Sequence, residues 1–310
     1  MSNTTDQNIV TLETVTKRFG SATAVDQLSM SIDRGEMFGL IGPDGAGKTT
    51  TIRLMCGLLR ADAGRVEVLG ADPVRQHRRL TNSVGYLSQR FSLYGDLSVD
   101  ENVAFFAEIH GVPDYVTRRD RLLEMTQLTP FRRRLADRLS GGMKQKLALV
   151  CTLVHEPTLI VLDEPTTGVD PISRREFWKL LSEFLSQGIT VVLSTPYLDE
   201  AERCSRVALL HEGHLLALDR PAALRAASGG GYYEVIVGDF RKAVDVLTRV
   251  PGVTSVHLFG DRAHVRVEEP DPAAADRLTS ALVTAGLTVS SLREMSPTLE
   301  DVFIARTNAR

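Results

Sequence analysis

Cysteine, long apolar runs and an excess of charge are all scarce in this sequence of 310 residues. Its three cysteines, Cys56, Cys151 and Cys204, lie far apart without a Cys-x-x-Cys pair, which argues against a disulfide framework or metal cluster and predicts small buried residues. Apolar runs such as 147–154 fall far short of the roughly 20 residues that span a bilayer. The first residues lack the basic and apolar regions of a secretory signal. We therefore expect a cytoplasmic protein without a membrane-crossing segment.

Charge is nearly balanced, with 36 Lys and Arg against 39 Asp and Glu. Proteins that mainly neutralise nucleic-acid phosphates usually carry a basic excess, so no nucleic-acid partner is expected. Basic runs at 132–134 and 75–79 have no accompanying set of stacking aromatics, and we interpret them as solvated faces. Apolar residues form 43% of the chain. This content and length suit one large domain and one small domain.

Residues 1–225 alternate between strand and helix patterns, which predicts an α/β domain with a mostly parallel sheet. An antiparallel β subdomain is expected at 9–18 and 24–32, where apolar and polar residues alternate. Further strands are predicted at 37–41, 65–69, 84–88, 159–162 and 189–193. Helices are predicted at 49–59 and 177–185, and another follows 139–145 and runs into Val154. The segment of about 90–138 predicts a helical insert, in which Ser98 and Glu101 fit a capping box.

The small residues at 226–231 predict a flexible linker to a second domain, 232–310. Its patterns follow the order β-α-β-β-α-β, which suggests a small ferredoxin-like α+β domain. The predicted elements are strands at 233–237, 253–258, 263–268 and 287–292, helices at 240–249 and 272–285, and a closing helix at 298–307. This domain contains no cluster of catalytic residue types, so no chemistry is expected there.

A glycine-rich loop with the pattern G-x-x-x-x-G-K-[ST] follows the predicted strand 37–41 and precedes a helix, which is the context that a phosphate-binding loop requires. Its backbone N–H groups and the helix N-terminus favour phosphate, Lys48 adds a full charge, and the Thr49 hydroxyl suits Mg²⁺. The alternative is a glycine-rich turn with an exposed lysine. The predicted nucleotide-binding residues are Gly42, Pro43, Asp44, Gly45, Ala46, Gly47, Lys48, Thr49 and Thr50.

Two carboxylates, Asp163 and Glu164, end the predicted strand 159–162 at the edge of the sheet where ligands of open α/β sheets bind. Asp163 is a candidate Mg²⁺ ligand, directly or through water. Glu164 is the candidate catalytic base for the water that attacks the γ-phosphate. An isolated pair of this kind would be interpreted as a solvated turn, but a phosphate loop accompanies this one.

A second glycine-rich helix start, Ser140-Gly141-Gly142, lies within Leu-Ser-Gly-Gly-Met-Lys-Gln. With the phosphate loop, Gln89, the two carboxylates and the loop ending in Asp170, it resembles the nucleotide-binding subunit of an ABC transporter, a P-loop NTPase, over residues 9–224. The resemblance implies that ATP is sandwiched between the phosphate loop of one subunit and Ser140, Gly141, Gly142 and Asp170 of another, with Mg²⁺ bound. It also implies that Gln89 senses the γ-phosphate and Mg²⁺, and that Phe19 stacks on adenine; a buried core position is the alternative for Phe19.

The Glu-Asp-Val-Phe ending at 300–303 and the small second domain are similar to the ATPases of bacterial ABC-2-type exporters, the group that includes daunorubicin-resistance-like pumps. The resemblance implies separate ABC-2-type membrane subunits as partners, a homodimer or a heterodimer with a second ABC ATPase, and a place on the cytoplasmic face of the membrane. Aromatics of the helical insert are candidate membrane-subunit contacts, with core packing as the alternative: Phe91, Tyr94, Phe105 and Phe106.

One position departs from the family pattern, because Pro196 stands where a switch histidine is expected after Ser194-Thr195. Proline has no side-chain donor and cannot hydrogen-bond the γ-phosphate. Slow hydrolysis is therefore expected, and a weakly hydrolysing regulatory partner in an asymmetric complex stays an alternative. A soluble ABC ATPase that acts on ribosomes or DNA is the other alternative; those have two fused ATPase domains or one split domain.

Overall fold

The computed structural model describes residues 8–89, 93–269 and 273–308. It divides the chain into two compact units, one that ends at Arg220 and one that begins at Pro221. This division precedes the predicted linker 226–231, which forms the turn between a helix and a strand inside the second unit. Within the described ranges, no helix is both long and apolar enough to cross a membrane.

The first unit contains two sheets. Its strands are β1 (Asn8–Phe19), β2 (Ala22–Asp33), β3 (Met37–Ile41), β4 (Ala63–Val68), β5 (Val84–Leu87), β6 (Leu159–Asp163), β7 (Thr190–Thr195), β8 (Arg206–His211) and β9 (His214–Asp219). The six-stranded sheet has the order β5-β6-β7-β3-β8-β9, parallel except for β9. The antiparallel sheet β2-β1-β4 confirms the predicted β subdomain. Because β3, β6 and β7 are adjacent and parallel, their carboxyl ends meet at one edge.

Helices of the first unit cover the large sheet or form the insert. They are α1 (Lys48–Met55), α2 (His77–Leu80), α3 (Val99–Ile109), α4 (Tyr115–Met125), α5 (Gly141–Leu153), α6 (Pro171–Ser186) and α7 (Leu198–Ala201). Helix α1 ends four residues earlier than predicted, since Gly57 adopts φ +69°, a left-handed conformation that stops a helix. An apolar cluster drawn from both sheets and α1 includes the fully buried Phe38, Leu40 and Ile52.

The helical insert follows its sequence pattern closely. Ser98 caps α3: its hydroxyl accepts from the Glu101 backbone N–H at 3.3 Å, and the Glu101 carboxylate accepts from the Ser98 N–H at 2.7 Å, which confirms the capping box. In the basic run, Arg132 pairs with Asp100 and Asp120 inside the insert. This arginine therefore stabilises the insert.

The insert packs against the end of α5 through two histidines. His110, which ends α3, stacks on His155 with ring centroids 3.8 Å apart. Both ring nitrogens of the buried His155 lack a hydrogen-bond partner in the described part of the chain. Burial, the largest cause, and the neighbouring His110 lower the pKa of His155 to about 4. The His155 ring is therefore neutral near pH 7, and burial also lowers the pKa of His110.

The hairpin of β8 and β9 has no counterpart in the sequence prediction. Its two-residue turn is Glu212-Gly213, with φ of +48° and +81°. A positive φ at both turn positions matches the right-handed strand twist, but glutamate rarely adopts it. Turn patterns based on Asn-Gly or Asp-Gly therefore miss this hairpin.

The buried Cys151 and Cys204 agree with the prediction of small buried residues, whereas Cys56 is half-buried.

The second unit is a four-stranded antiparallel sheet with helices. Its elements are α8 (Pro221–Ala226), β10 (Gly231–Val237), α9 (Phe240–Leu247), β11 (Val253–Phe259), β12 (Arg262–Val267), α10 (Ala274–Thr284), β13 (Val289–Met295) and α11 (Leu299–Asn308). The strand order β11-β12-β10-β13 confirms the ferredoxin-like fold. In the Glu-Asp-Val-Phe segment, Asp301 accepts from Thr298 and contacts buried His264 at 3.0 Å, and Val302 is buried. These contacts hold α11 on the sheet.

Candidate nucleotide-binding site

The glycine-rich loop between β3 and α1 requires glycine for two separate reasons. Gly45 and Gly47 adopt φ of +80° and +98°, which side chains rarely allow. A Cβ on Gly47 would lie 2.5 Å from the Ala24 carbonyl oxygen, and one on Gly42 would lie 2.2 Å from the Leu210 carbonyl oxygen. The loop is thus folded tightly against neighbouring backbone, with the N-terminus of α1 at its end.

The Lys48 side chain is buried within this loop rather than exposed, which removes the alternative of a turn with an exposed lysine. Its ammonium donates to the carbonyl oxygens of Gly42 at 2.8 Å and Pro43 at 3.0 Å. The same ammonium lies 3.4 Å from Oε1 of Glu164, the residue that directly follows β6. The loop therefore holds a full positive charge beside the helix N-terminus, where phosphate is favoured.

Asp163 ends β6 and is only 1% exposed. Its Oδ1 accepts from Thr49 Oγ1 at 3.1 Å and from Ser194 Oγ at 2.6 Å. Its buried Oδ2 has no hydrogen-bond partner in the ranges that the structure describes. A buried carboxylate oxygen beside a threonine hydroxyl suits Mg²⁺, which commonly takes one or two carboxylates together with substrate phosphates. The donor set therefore fits the predicted cation.

Glu164 is oriented by neighbours on several sides. Its Oε2 accepts from Gln89 Nε2 at 2.9 Å and Thr167 Oγ1 at 3.3 Å. Its backbone N–H donates to Ser194 Oγ at 3.0 Å, and its φ of +48° is unusual for a residue with a side chain. Strained backbone of this kind costs about 1–3 kcal/mol and persists where surrounding contacts fix it. The structure thus brings Gln89 to Glu164, and Lys48 lies against the same carboxylate.

Ser140, Gly141 and Gly142 begin α5, where the Ser140 hydroxyl accepts from the Met143 backbone N–H at 3.3 Å. A Cβ on Gly142 would lie 2.5 Å from the Ser173 Cβ, whereas a Cβ on Gly141 would have nothing within 4 Å. The helix start thus has one packed glycine and one that faces open space.

Asp170 caps the neighbouring helix α6 and is exposed. Its carboxylate accepts from the Ile172 and Ser173 backbone N–H groups at 3.1 and 3.0 Å. The hydrogen bond from the Ser173 backbone lowers the Asp170 pKa. Asp170 therefore lies beside the α5 helix start, because Ser173 touches both.

Phe19 ends β1 with half of its surface exposed, and the Lys17 ammonium lies 5.5 Å from its ring centroid. This exposure excludes a buried core position for Phe19.

Pro196 directly follows β7. The Tyr197 backbone N–H donates to Thr195 Oγ1 at 3.1 Å and folds the chain around Pro196.

Three site residues were not among the predictions. Ser194 links the Asp163 carboxylate to the Glu164 backbone N–H, and Thr167 orients the Glu164 carboxylate. Glu200 accepts hydrogen bonds from Thr166 and Thr195, which lie near the ends of β6 and β7. The sequence does contain a signal for Ser194, because this hydroxyl directly follows a predicted buried strand, as Asp163 follows another. In the structure the two residues are paired at the ends of the parallel strands β6 and β7. Glu200 belongs to no such pattern, because its partners come from separate elements.

Three aromatics of the insert lie together. The Tyr94 and Phe105 ring centroids are 4.5 Å apart, and Phe105 and Phe106 are 5.6 Å apart. Tyr94 is exposed over 45% of its surface, whereas the two phenylalanines are half-buried. Phe91, the fourth predicted contact aromatic, lies outside the described residues.

Two family models match the chain, one for each unit. The model described as ABC transporter matches residues 25–167, and the model described as the C-terminal domain of DrrA1-3-like ATP-binding proteins matches residues 220–307. The daunorubicin resistance ATP-binding protein DrrA3 of Streptomyces coeruleorubidus is 34% identical, over 95% of this chain and 94% of that protein. The chain belongs to the ABC transporter ATP-binding proteins.

This ABC transporter ATP-binding chain is also similar to longer and shorter proteins. It is 41% identical to the probable multidrug ABC transporter ATP-binding protein YbhF of Escherichia coli (strain K12), over 96% of this chain and 51% of YbhF. The chain thus spans about half the length of that relative. A solved dimeric ATP-binding cassette, described as a post-hydrolysis state bound to ADP and phosphate, is 26% identical with a TM-score of 0.62, over 68% of this chain and 98% of that one.

Proposed function

We propose that this chain binds MgATP and hydrolyses it at a site completed by a second ATPase chain, and that this turnover powers export through separate membrane subunits. The observation that carries the proposal is the buried Glu164 carboxylate, which lies 3.4 Å from the phosphate-loop Lys48 and is oriented by Gln89. A carboxylate fixed in this way next to a phosphate cradle suits a general base.

The two oxygens of Glu164 have different surroundings, which assigns them different tasks. Oε2 accepts from Gln89 and Thr167 and is therefore held in place. Oε1 faces Lys48 and is the oxygen that would take a proton from the attacking water. Thr49 and Asp163 would hold Mg²⁺, which neutralises phosphate charge when bound. Lys48 would exchange its carbonyl partners for phosphate oxygens, and Phe19 would stack on the base.

Two phosphate cradles on one chain support a two-chain site. The α5 helix start at Ser140 has open space at Gly141, and the phosphate loop already has the helix N-terminus of α1. Each cradle would then face the other type on a second chain, which two-fold symmetry provides. The solved dimeric cassette with ADP and phosphate favours this arrangement. A homodimer or a heterodimer with a second ABC ATPase would satisfy it.

Membrane subunits of the ABC-2 type are the proposed partners, on the cytoplasmic face of the membrane. The exposed Tyr94 ring, backed by Phe105, is the proposed contact on the insert. Asn102 of α3 holds the segment that carries Tyr94, because its amide accepts from the Tyr94 N–H and donates to the carbonyls of Tyr94, Leu97 and Ser98. The names of relatives, multidrug and daunorubicin resistance, favour export.

Pro196 favours a second candidate, a weakly hydrolysing partner in an asymmetric complex. The retained Glu164, with its orienting contacts, favours residual hydrolysis over none. The two candidates differ in the turnover of the chain alone, which an ATPase measurement decides.

Glu164→Gln tests the proposed function. The amide keeps the size but cannot accept a proton, so we expect kcat to fall by at least about 10²-fold with MgATP binding retained. ATP-dependent dimers should then persist on size-exclusion chromatography with MgATP. Glu212→Gln is the matched control, because Glu212 has the same φ of +48° in an exposed turn. Parental turnover in Glu164→Gln would show that another group is the base.

A further inference from the structure

The Glu200 carboxylate lies buried between the loops that follow β6 and β7, with 1% of the residue exposed. One oxygen, Oε1, accepts from Thr166 Oγ1 at 2.7 Å, and the other, Oε2, accepts from Thr195 Oγ1 at 2.6 Å. Thr166 lies two residues after Glu164, and Thr195 directly precedes Pro196. One buried side chain therefore connects the loop of the proposed base to the loop at the switch position.

Helix α6 supplies two further groups around Oε1. The Trp178 indole N–H donates to it at 3.4 Å, and the Arg174 guanidinium lies 3.7 Å away. Arg174 also lies over the Tyr197 ring at 4.8 Å. Since α6 begins at the Asp170 cap, the same carboxylate also connects the site loops to this helix.

The groups that donate to Glu200 fix the direction of each hydrogen bond in this cluster. Thr195 Oγ1 accepts from the Tyr197 backbone N–H, so its own proton is directed to Glu200. Trp178 and Arg174 have donors only, so the atom facing them must be an acceptor. A buried charge costs stability unless paired, and an apolar side chain of similar volume is often no less stable. Packing alone therefore does not account for a carboxylate at this position.

We infer that Glu200 is a positioning residue for ATP hydrolysis: it fixes the spacing between the loop of Glu164 and the loop of Pro196. It acts through Thr166 and Thr195. The inference rests on the proposed role of Glu164 and deepens it, because it identifies what holds the base loop against the switch loop when no switch histidine is present.

Glu200→Gln is the main test, because it keeps the volume and removes one acceptor. The amide nitrogen cannot face Trp178 and Arg174, so it must face Thr195, whose hydroxyl then has to turn away. Thr166→Val and Thr195→Val each remove one hydrogen bond to Glu200 with little change in volume, and Thr195→Val also removes the acceptor of the Tyr197 N–H. Glu36→Gln is the matched control: Glu36 is also buried in the first unit and also paired with an arginine, Arg206, and within the described residues no hydrogen bond or ion pair joins its side chain to either loop.

Steady-state ATPase activity, MgADP affinity and thermal unfolding are measured for each variant. We expect Glu200→Gln to lower kcat by about 10-fold or more, since small misplacements of reacting groups cost up to about 10²-fold. KM and MgADP affinity should stay within about twofold of the parent, which a general loss of structure would not allow. The Thr166→Val/Thr195→Val double variant should lose little more than either single variant, because both act through one carboxylate. Glu36→Gln should keep the parental kcat.

Two results would overturn the inference: a parental kcat in Glu200→Gln, or a double variant whose loss is the product of the single losses. If turnover of the parent is unaffected by Glu164→Gln, the proposed base is wrong and the failure lies with that proposal. Parental turnover that depends on Glu164 but not on Glu200 places the failure with Glu200 alone.

Discussion

Two adjacent glycines at the start of α5 allow stability to be separated from function. The structure places a Cβ on Gly142 at 2.3 Å from Ser173 Oγ and 2.5 Å from Ser173 Cβ, while a Cβ on Gly141 meets nothing within 4 Å. The hydroxyl of Ser173 can rotate away, but its Cβ is fixed to the backbone of α6. Alanine should therefore have opposite effects on stability at the two positions.

Overpacking of this kind costs about 1–3 kcal/mol, against a helix-propensity gain of up to about 1 kcal/mol for replacing glycine with alanine. Gly142→Ala should lower the free energy of unfolding by about 1–2 kcal/mol, and Gly141→Ala should leave it unchanged or raise it by up to about 1 kcal/mol. For a unit of this size, 1 kcal/mol corresponds to about 2–4 °C in Tm. Ser173→Gly in the Gly142→Ala background removes the clashing Cβ and should recover part of the loss.

Function should follow a different order. If the α5 helix start faces phosphate on a second chain, the added methyl of Gly141→Ala enters that contact, and ATPase activity should fall although stability does not. Urea unfolding, thermal unfolding and steady-state ATPase of both variants measure this. Equal stability of the two variants would refute the clash, and full activity in Gly141→Ala would refute a second-chain site at this helix.

Three further outcomes are expected. Pro196→His should raise kcat. The gain should be smaller than the roughly 10²–10³-fold that one positioned donor supplies, because Thr195 fixes the loop before this position. Unchanged steady-state ATPase activity, measured alone and with membrane subunits, would show that this position does not limit turnover. Asp163→Asn keeps the acceptor for Thr49 but loses the charge, so Mg²⁺-dependent activity should fall by at least about 10–100-fold in a Mg²⁺ titration. Because the pKa of His155 is lowered to about 4, the unfolded chain binds more protons than the folded chain between about pH 6.5 and 4. The free energy of unfolding should therefore decrease by up to about 3 kcal/mol as the pH is lowered from about 6.5 to 4. Urea unfolding at each pH would show this decrease, which should be smaller in His155→Phe.

The parts of the fold that the sequence predicts are those fixed by local pattern. The Ser98 capping box, the buried strands β3 and β6 and the glycine loop each depend on residues that are close in sequence. The β8–β9 hairpin was missed because Glu212 adopts a positive φ that its residue type does not favour. Local pattern alone gives no reason for that conformation.

For the site, sequence order predicts which residue types reach the sheet edge but not which atoms meet. Lys48, Gln89 and Glu164 were all expected near the phosphates, yet the bond from Gln89 to Glu164 depends on the relative placement of two strand ends. Glu200 shows the limit most clearly, since Thr166 is 34 positions away in the chain and Trp178 is 22. A hydrogen-bond cluster drawn from several elements leaves no periodic signal.

The buried Lys48 gives ligand binding the character of an exchange. Its ammonium already donates to two loop carbonyls and lies against Glu164. If the proposed nucleotide site is correct, a phosphate that reaches the loop would replace these partners, and the affinity would be the difference between two sets of charge-assisted contacts. Changes that strengthen the internal set should then weaken nucleotide binding without any contact to the nucleotide.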